Sequence, residues 1–115
     1  FYKGWGGANI EGLKEPALIR ALAAELELRG RKTRREVLVT HRYKSKTIGS
    51  ARIDLLVEGK VAVEAKKLKE LRSQDEAQLR AYMQGGKYAV GLLLNFSREN
   101  AQTKRLDERQ FAPKK

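Results

Sequence analysis

Two short apolar runs separated by Glu58-Gly59 constrain the fold of this chain more than any other feature. The runs span residues 52–57 and 60–66, and their length and their flanking turn residues predict a β-hairpin. Alternation within each run predicts one apolar face, made of Ile53, Leu55, Val57, Val61, Val63 and Ala65. The opposite face is then predicted to carry Asp54, Ala62, Glu64 and Lys66.

Three charged side chains are predicted to converge on that second face. If residues 57–59 form the loop with Gly59 in the left-handed conformation, Asp54 lies opposite Ala62 and diagonal to Glu64, about 7 Å away. Two carboxylates and the Lys66 ammonium then suit a divalent cation beside a phosphodiester. The alternative is a solvated face of ion pairs, because 34% of the chain is charged and such offsets arise by chance.

The net charge indicates a polyanionic partner. Lys and Arg number 25 against 14 acidic residues, which gives +11, and nucleic acid is the usual partner of such an excess. The cations are spread along the chain, as expected for a basic face of a folded domain; a thermophilic or merely soluble surface is the alternative. The residues predicted to contact nucleic acid are Arg42, Lys44, Arg52, Lys67 and Lys69.

The composition excludes several kinds of site. Cysteine is absent, which excludes disulfides, thiolate metal sites and cysteine nucleophiles. The single histidine, His41, excludes a His-rich zinc site and argues against a Ser-His-Asp triad. No apolar run of membrane-spanning length and no secretory signal are visible, so we expect no membrane association and a cytoplasmic location. Oligomeric state stays open, with a homodimer among the options.

The order of predicted elements is α-β-β-β-α-β within one domain. A Gly-rich irregular segment is expected over residues 1–14 and a single domain over 15–115. We predict helices over 15–29 and from residue 73 to 83 or 84, the second opened by a capping box at residues 73–76 and closed by Gly85-Gly86. Strands are predicted over 36–43, 47–57, 60–66 and 88–96, with an edge strand at 103–106. The fold class is therefore α/β, a mixed sheet flanked by helices.

Each predicted helix carries polar residues that need an explanation. On the first helix, Glu25 projects from a stripe formed by Ala17, Leu18, Ala21, Leu22 and Leu28. A buried carboxylate requires a cation, a metal or water, so Glu25 either pairs with a basic residue of the sheet or faces Asp54 and Glu64. On the second helix, Gln78 and Tyr82 share a face; they orient a phosphate or the lysine, or they are an ordinary surface Gln and a packed Tyr.

These blocks resemble the PD-(D/E)XK nuclease superfamily. Asp54 followed by Glu64-Ala65-Lys66 resembles its metal-binding signature, and the predicted element order is that of its restriction-endonuclease-like core. Residues 12–18, 21–26, 52–60, 76–79 with Tyr82, and 90–96 resemble its GxxExxY branch. Gln78 with Tyr82 also resembles the QxxxY element of RecB-like nucleases. The chain departs at Leu18, where the branch has Tyr, and at Ile53, where the signature has Pro.

The resemblance implies hydrolysis of phosphodiester bonds with Mg²⁺ or Mn²⁺. Asp54, Glu64 and the backbone carbonyl of Ala65 would hold the ion, and Lys66 would position or help deprotonate the attacking water. Glu25, or Glu15 as the alternative, would complete the cluster.

The resemblance also implies supporting roles and a substrate. Gln78 and Tyr82 would hold Lys66 and the phosphate. The expected substrate is DNA rather than RNA. The competing functions are a catalytically inactive nucleic-acid-binding module of the same fold and a small basic structural protein that packs against RNA.

Overall fold

A mixed five-stranded sheet with a helix on each face organises the part of the chain that the computed structural model describes, residues 12–97 and 101–110. The elements in chain order are α1 (Glu15–Leu28), β1 (Thr33–Tyr43), β2 (Lys46–Val57), β3 (Val61–Lys66), α2 (Ser73–Gly86), β4 (Val90–Asn95), β5 (Gln102–Asp107) and a 3-10 turn (Glu108–Gln110). The predicted α/β class and the α-β-β-β-α-β order are confirmed.

The strands lie in the order β1-β2-β3-β4-β5. All neighbours are antiparallel except β3 and β4, which are parallel and are joined by α2 as a crossover. Because β4 lies between β3 and β5, both of its edges are paired and a helix can cover each side of the sheet. This explains the nearly continuous apolar run of β4, and β5 is the predicted edge strand.

Two buried clusters lie on opposite faces of the sheet. The α1 cluster contains Leu18, Ile19, Leu22, Ala23, Leu55, Val63, Ala65 and Phe96. The α2 cluster contains Val39, Ile53, Ala62, Leu79, Met83, Leu93 and Leu106. The predicted stripe of α1 is corrected: Leu28 is 82% exposed, whereas Ile19 and Ala23 are buried, because Leu28 lies on the opposite side of the helix from Ile19.

The loop of the β2–β3 hairpin lies one residue later in the chain than predicted, and this changes the register of the two strands. Val57 pairs with Val61, so the loop is residues 58–60, with positive φ at both Glu58 and Gly59. In this register Asp54 lies opposite Glu64 rather than opposite Ala62. The two carboxylates are therefore direct cross-strand neighbours, closer than the predicted diagonal pair.

Helix α2 passes through the glycine pair that was expected to end it. The helix continues to Gly86 and ends at Lys87, which takes the left-handed conformation with φ 59°. A Cβ at Gly85 would lie 2.8 Å from the Thr40 carbonyl oxygen, so glycine here permits close packing of α2 against β1. At the other end, Arg72 rather than Ser73 is the capping residue. The backbone N–H of Arg72 donates a hydrogen bond to the Asp75 carboxylate at 2.8 Å.

The start of the predicted irregular segment lies outside the described residues. Residues 12–14 are non-helical and lead into α1; residues 1–11 belong to the undescribed part. Within the described ranges, no helix is long and apolar enough to cross a membrane.

Candidate active site

The ladder between β2 and β3 ends at Leu55 and Val63, and side chains replace the next backbone hydrogen bonds. The backbone N–H of Asp54 donates to Glu64 Oε1 at 3.1 Å. The backbone N–H of Ala65 donates to Asp54 Oδ2 at 2.9 Å. Each carboxylate is thus held by the backbone of the opposite strand, and the two acids face each other across the gap between the strands.

Strand β1 is distorted at the same level. Glu36, between the paired residues Arg35 and Val37, has φ 53°, a conformation that is uncommon for a residue with a side chain. Arg52 Nη1 donates to the Glu36 carbonyl oxygen at 3.3 Å.

At the same level, the apolar side chains of β2 change the face on which they pack. Ile53 packs in the α2 cluster, whereas Leu55 packs in the α1 cluster, although residues two apart in a regular strand share a face. The prediction that Ile53 lies on the same face as Leu55 is therefore wrong. The predicted partners Val57, Val61, Val63 and Ala65 do pack on the α1 side. Asp54 occupies the point at which the alternation of β2 is interrupted.

The two acids resist simultaneous ionisation. Glu64 is 5% exposed, and burial, followed by repulsion from Asp54, raises its pKa from 4.5 to about 8. Burial also raises the pKa of Asp54, against the lowering effects of the Ala65 N–H and the Lys66 charge. The pair therefore lacks enough positive charge from the protein to be doubly ionised at neutral pH.

Helix α2 brings polar groups to this acidic pair. Lys66 Nζ donates to Gln78 Oε1 at 3.2 Å. Burial and then the charges of Glu64 and Asp54 raise the pKa of Tyr82, whose ring stacks on His41 with centroids 6.2 Å apart. The structure thus places Lys66, Gln78 and Tyr82 near the two acids.

Glu25 is not part of this group. Its carboxylate pairs with Arg29 of the same helix at 3.0 Å, and it borders an apolar cavity with Leu26 and Val61. The expectation that Glu25 faces Asp54 and Glu64 is corrected: the i, i+4 arginine satisfies its charge at the end of α1 that lies away from Asp54.

Glu15 is the acid of α1 that lies near Asp54. The two residues border a cavity of about 120 Å³ together with Pro16 and Ile19, and Glu15 contributes to raising the pKa of Asp54. Glu15 Oε1 also accepts a hydrogen bond from the backbone N–H of Lys67 at 3.2 Å. The signal in the sequence is that Glu15 precedes the buried Ile19 by one turn and so shares its side of the helix.

Asn95 is a site-supporting residue that the sequence analysis did not single out. It is fully buried at the end of β4; its Oδ1 accepts from the Leu68 N–H at 2.9 Å and its Nδ2 donates to the Leu68 carbonyl at 2.8 Å. The Phe96 N–H donates to the Lys66 carbonyl at 2.8 Å. Asn95 therefore fixes the chain that follows Lys66, and its signal was a polar residue closing an apolar run.

The residues predicted to contact nucleic acid lie on different elements of the fold. Arg42 and Lys44 lie at the tip of the β1–β2 hairpin, Arg52 lies farther along β2, and Lys69 precedes α2; all four are exposed. Lys67 is half-buried, and its Nζ donates to the Leu13 carbonyl at 2.9 Å. Lys67 therefore fastens the segment before α1, in addition to any contact with a ligand.

The donor set at the acidic pair fits a hard, partly hydrated cation. Within residues 12–97 and 101–110, no three or more His, Cys, Asp or Glu side chains are grouped so as to hold a metal ion. Mg²⁺, however, usually keeps several waters and binds through one or two carboxylates. The N–H of Ala65 points at Asp54. In a strand, the carbonyl of a residue points toward the same neighbouring strand as its N–H, so the Ala65 carbonyl oxygen is directed toward β2, where Asp54 lies.

Comparisons with known proteins address the family and the fold. The family model described as the PD-(D/E)XK nuclease superfamily matches residues 8–106. A solved structure described as the crystal structure of SSO0001 is similar, with a TM-score of 0.61 and 17% identity over 79% of this chain and 48% of that chain. At this identity the likeness shows the fold alone, and the chain spans about half the length of that structure. The comparison with curated proteins gives no match. These matches do not distinguish the GxxExxY branch.

Proposed function

The chain belongs to the PD-(D/E)XK nuclease superfamily, and on this premise we propose that it hydrolyses phosphodiester bonds of nucleic acid, DNA rather than RNA, with Mg²⁺ or Mn²⁺. The observation that carries the proposal is the pair formed by Asp54 and Glu64, each held by the other strand's backbone. Lys66 is adjacent and is held by Gln78. This combination provides ligands for a cation and a positive side chain beside it.

The uncompensated charge of the pair supports a cation. Ionising two buried carboxyl groups beside the single charge of Lys66 is unfavourable, and the raised pKa of Glu64 expresses that cost. Asp54, Glu64 and the carbonyl of Ala65 would hold the ion, with water and a phosphate oxygen as further ligands. When bound, the ion would lower the pKa of a coordinated water and offset charge on the scissile phosphate.

The remaining side chains would orient the reactants. Lys66, fixed by Gln78, would hold the attacking water and stabilise negative charge that develops on the phosphate. Tyr82, whose raised pKa keeps its hydroxyl protonated at neutral pH, would donate a hydrogen bond to a phosphate oxygen. Glu15 would act from α1 by fixing the backbone of Lys67 next to the catalytic lysine.

The test is cleavage of end-labelled duplex DNA, single-stranded DNA and RNA with Mg²⁺, with Mn²⁺ and with a chelator. We expect metal-dependent cleavage of DNA that is lost in Asp54→Asn. Glu25→Gln is the matched control, because it removes an acid that lies away from the pair, and it should cleave like the wild type. Binding of nucleic acid without cleavage under all metal conditions would support the inactive module instead.

A further inference from the structure

The tip of the β1–β2 hairpin extends beyond the helix that covers its base. Helix α2 contacts this hairpin near Thr40 and His41, through Gly85 and Tyr82. Beyond that level, Arg42 pairs with Thr47 and Tyr43 with Lys46, and every residue from 42 to 48 is exposed. We refer to residues 42–48 as the hairpin arm. Its turn residues both have positive φ, as in the tight two-residue turns that join twisted strands.

The hairpin arm is basic on both faces. No Asp or Glu occurs between Val37 and Ile53. Arg42 and Tyr43 are consecutive and so project to opposite faces, and Lys46, which is paired with Tyr43, shares the Tyr43 face. An arm lying flat on a polyanion would need cations on one face only. Cations on both faces suit insertion into a groove whose two walls carry phosphates.

The same arm exposes large apolar side chains. Tyr43 is 61% exposed and Ile48 is 68% exposed. The register shift after His41 leaves Ile48 without a cross-strand partner, and Lys44 Nζ lies 5.5 Å from the centre of the Tyr43 ring. Apolar groups at a basic tip suit the base edges on the floor of a groove, where the thymine methyl group is an apolar contact.

We propose that the hairpin arm inserts into the major groove of duplex DNA that is bound at the acidic pair. This proposal rests on the proposed function, since it takes nucleic acid as the substrate. The major groove of B-form DNA admits a two-stranded β-ribbon, whereas the major groove of A-form RNA is too deep and narrow. The geometry therefore assigns duplex DNA as the partner of the arm.

The arm lies at a measurable distance from the acidic pair. Asp54 lies eight positions after Lys46 along β2, which is about 26 Å at the rise of an extended strand. This length corresponds to about 8 base pairs of duplex. Arg52 is exposed between the two ends. A substrate should therefore need about 8 base pairs on one side of the cleaved bond.

Binding is measured first, with every protein carrying Asp54→Asn so that no cleavage occurs. Lys44→Glu/Lys46→Glu alters the arm, and Lys32→Glu/Lys60→Glu makes the same charge change at exposed residues near the opposite end of β2. We expect the arm variant to bind duplex DNA at least tenfold more weakly than the control variant. The slope of log affinity against log salt should fall by about 2 relative to the Asp54→Asn parent. Equal losses in the two variants would overturn the proposal.

The apolar contact has its own readout. Tyr43→Ala/Ile48→Ala should weaken binding to duplex DNA severalfold and leave binding to duplex RNA unchanged. Leu28→Ala, which removes an exposed leucine at the end of α1, should change neither. Equal effects of Tyr43→Ala/Ile48→Ala on the two duplexes would contradict insertion into the major groove.

Cleavage then separates this proposal from the proposed function. With an active site restored, wild-type cleavage should decline as one flank is shortened below about 8 base pairs, while Lys44→Glu/Lys46→Glu should be insensitive to flank length. Cleavage that depends on neither flank length nor arm charge would overturn the proposed role of the arm and leave the proposed nuclease function unaffected. If the wild-type protein binds DNA through the arm but never cleaves it, the proposed nuclease function is overturned and the proposed role of the arm is not.

Discussion

Asp75 and Glu64 are both buried carboxyl groups, with 3% and 5% exposure, but their surroundings are opposite. Asp75, at the start of α2, accepts hydrogen bonds from the Arg72 backbone at 2.8 Å and guanidinium at 3.0 Å. The Arg72 side chain is the main cause that lowers the pKa of Asp75. Glu64 faces another acid, and burial raises its pKa to about 8.

The fold supplies the counter-charge of Asp75 itself, whereas it leaves the counter-charge of Glu64 and Asp54 to a ligand. At the start of α2, an arginine neutralises the acid and the helix terminus is stabilised. At the acidic pair, the charge of Lys66 acts on both acids, but it does not offset their burial. The first acid holds the structure together, and the second is available to a divalent ion.

The largest expected contrast is in activity. Glu64→Gln removes a charged ligand, so we expect metal-dependent cleavage to fall by about 10³-fold. Asp75→Asn should keep the single-turnover rate within about twofold of wild type when measured well below its melting temperature, because it does not touch the reacting groups. Comparable losses in both variants would remove the functional distinction between the two acids.

The pH dependence of stability should also separate the two acids. Without metal, the folded protein binds more protons at Glu64 than the unfolded chain does between pH 4.5 and about 8, so stability should fall as pH rises through this window. The contribution is about 1.4 kcal/mol per unit of pKa difference, a few kcal/mol in total.

Asp75 should act in the opposite direction. Its lowered pKa means that its contribution is present above pH 3.8 and is lost as pH falls below that value. Urea denaturation from pH 3 to pH 9 in a chelator measures both effects. Glu64→Gln should make the decline toward alkaline pH shallower and leave only the part that comes from the raised pKa of Asp54. An unchanged decline in this variant would show that Glu64 does not cause it.

The hydrogen-bond partners of Lys66 and Asp75 provide the next contrast. Gln78→Ala releases Lys66, and we expect a 10- to 100-fold lower cleavage rate, the usual effect of losing an orienting partner, with stability nearly unchanged because Gln78 is exposed. Arg72→Ala should lower stability, because Asp75 loses its hydrogen bonds from the guanidinium and keeps the one from the backbone N–H of residue 72. Its cleavage rate per folded molecule should be unchanged. A rate loss in Arg72→Ala as large as that in Gln78→Ala would contradict this division.

The smallest expected effects are on stability at a single pH. At pH 8 in a chelator, Glu64→Gln should stabilise the protein by about 1 kcal/mol or more, because a neutral amide can still accept the Asp54 N–H without the repulsion. Asp75→Asn should destabilise it by about 1 kcal/mol. Thermal denaturation measures both stability changes, and two shifts of the same sign would show that the two acids do not differ in this way.

The sequence predicted which residues share the second face of β3 but not their cross-strand partners. Alternation assigns Glu64 to a face independently of the loop, whereas the register depends on which residues accept positive φ. Glu58 accepts it together with Gly59, and this moves Asp54 opposite Glu64. The distortion at Glu36 and the altered packing of Ile53 arise from contacts between strands, which local pattern does not encode.

The acids of α1 illustrate the same limit. Helical periodicity placed Glu25 on an apolar side, and it does border apolar residues, but periodicity does not say which end of the helix approaches the acidic pair. That depends on how α1 crosses the sheet, a long-range property. Glu15 was predicted only as the alternative. Gly85 was expected to end α2, and this was wrong because the contact that requires glycine there, its close approach to Thr40, involves a strand distant in sequence.

Binding of a divalent cation by the acidic pair is tested most directly by anomalous diffraction from a crystal of the protein soaked in Mn²⁺. We expect one strong peak within coordinating distance, about 2.0–2.3 Å, of carboxylate oxygens of both Asp54 and Glu64. The same soak of the Asp54→Asn variant should lose this peak. A wild-type map with no peak between the two acids, or with the ion bound at Glu25 instead, would contradict the account.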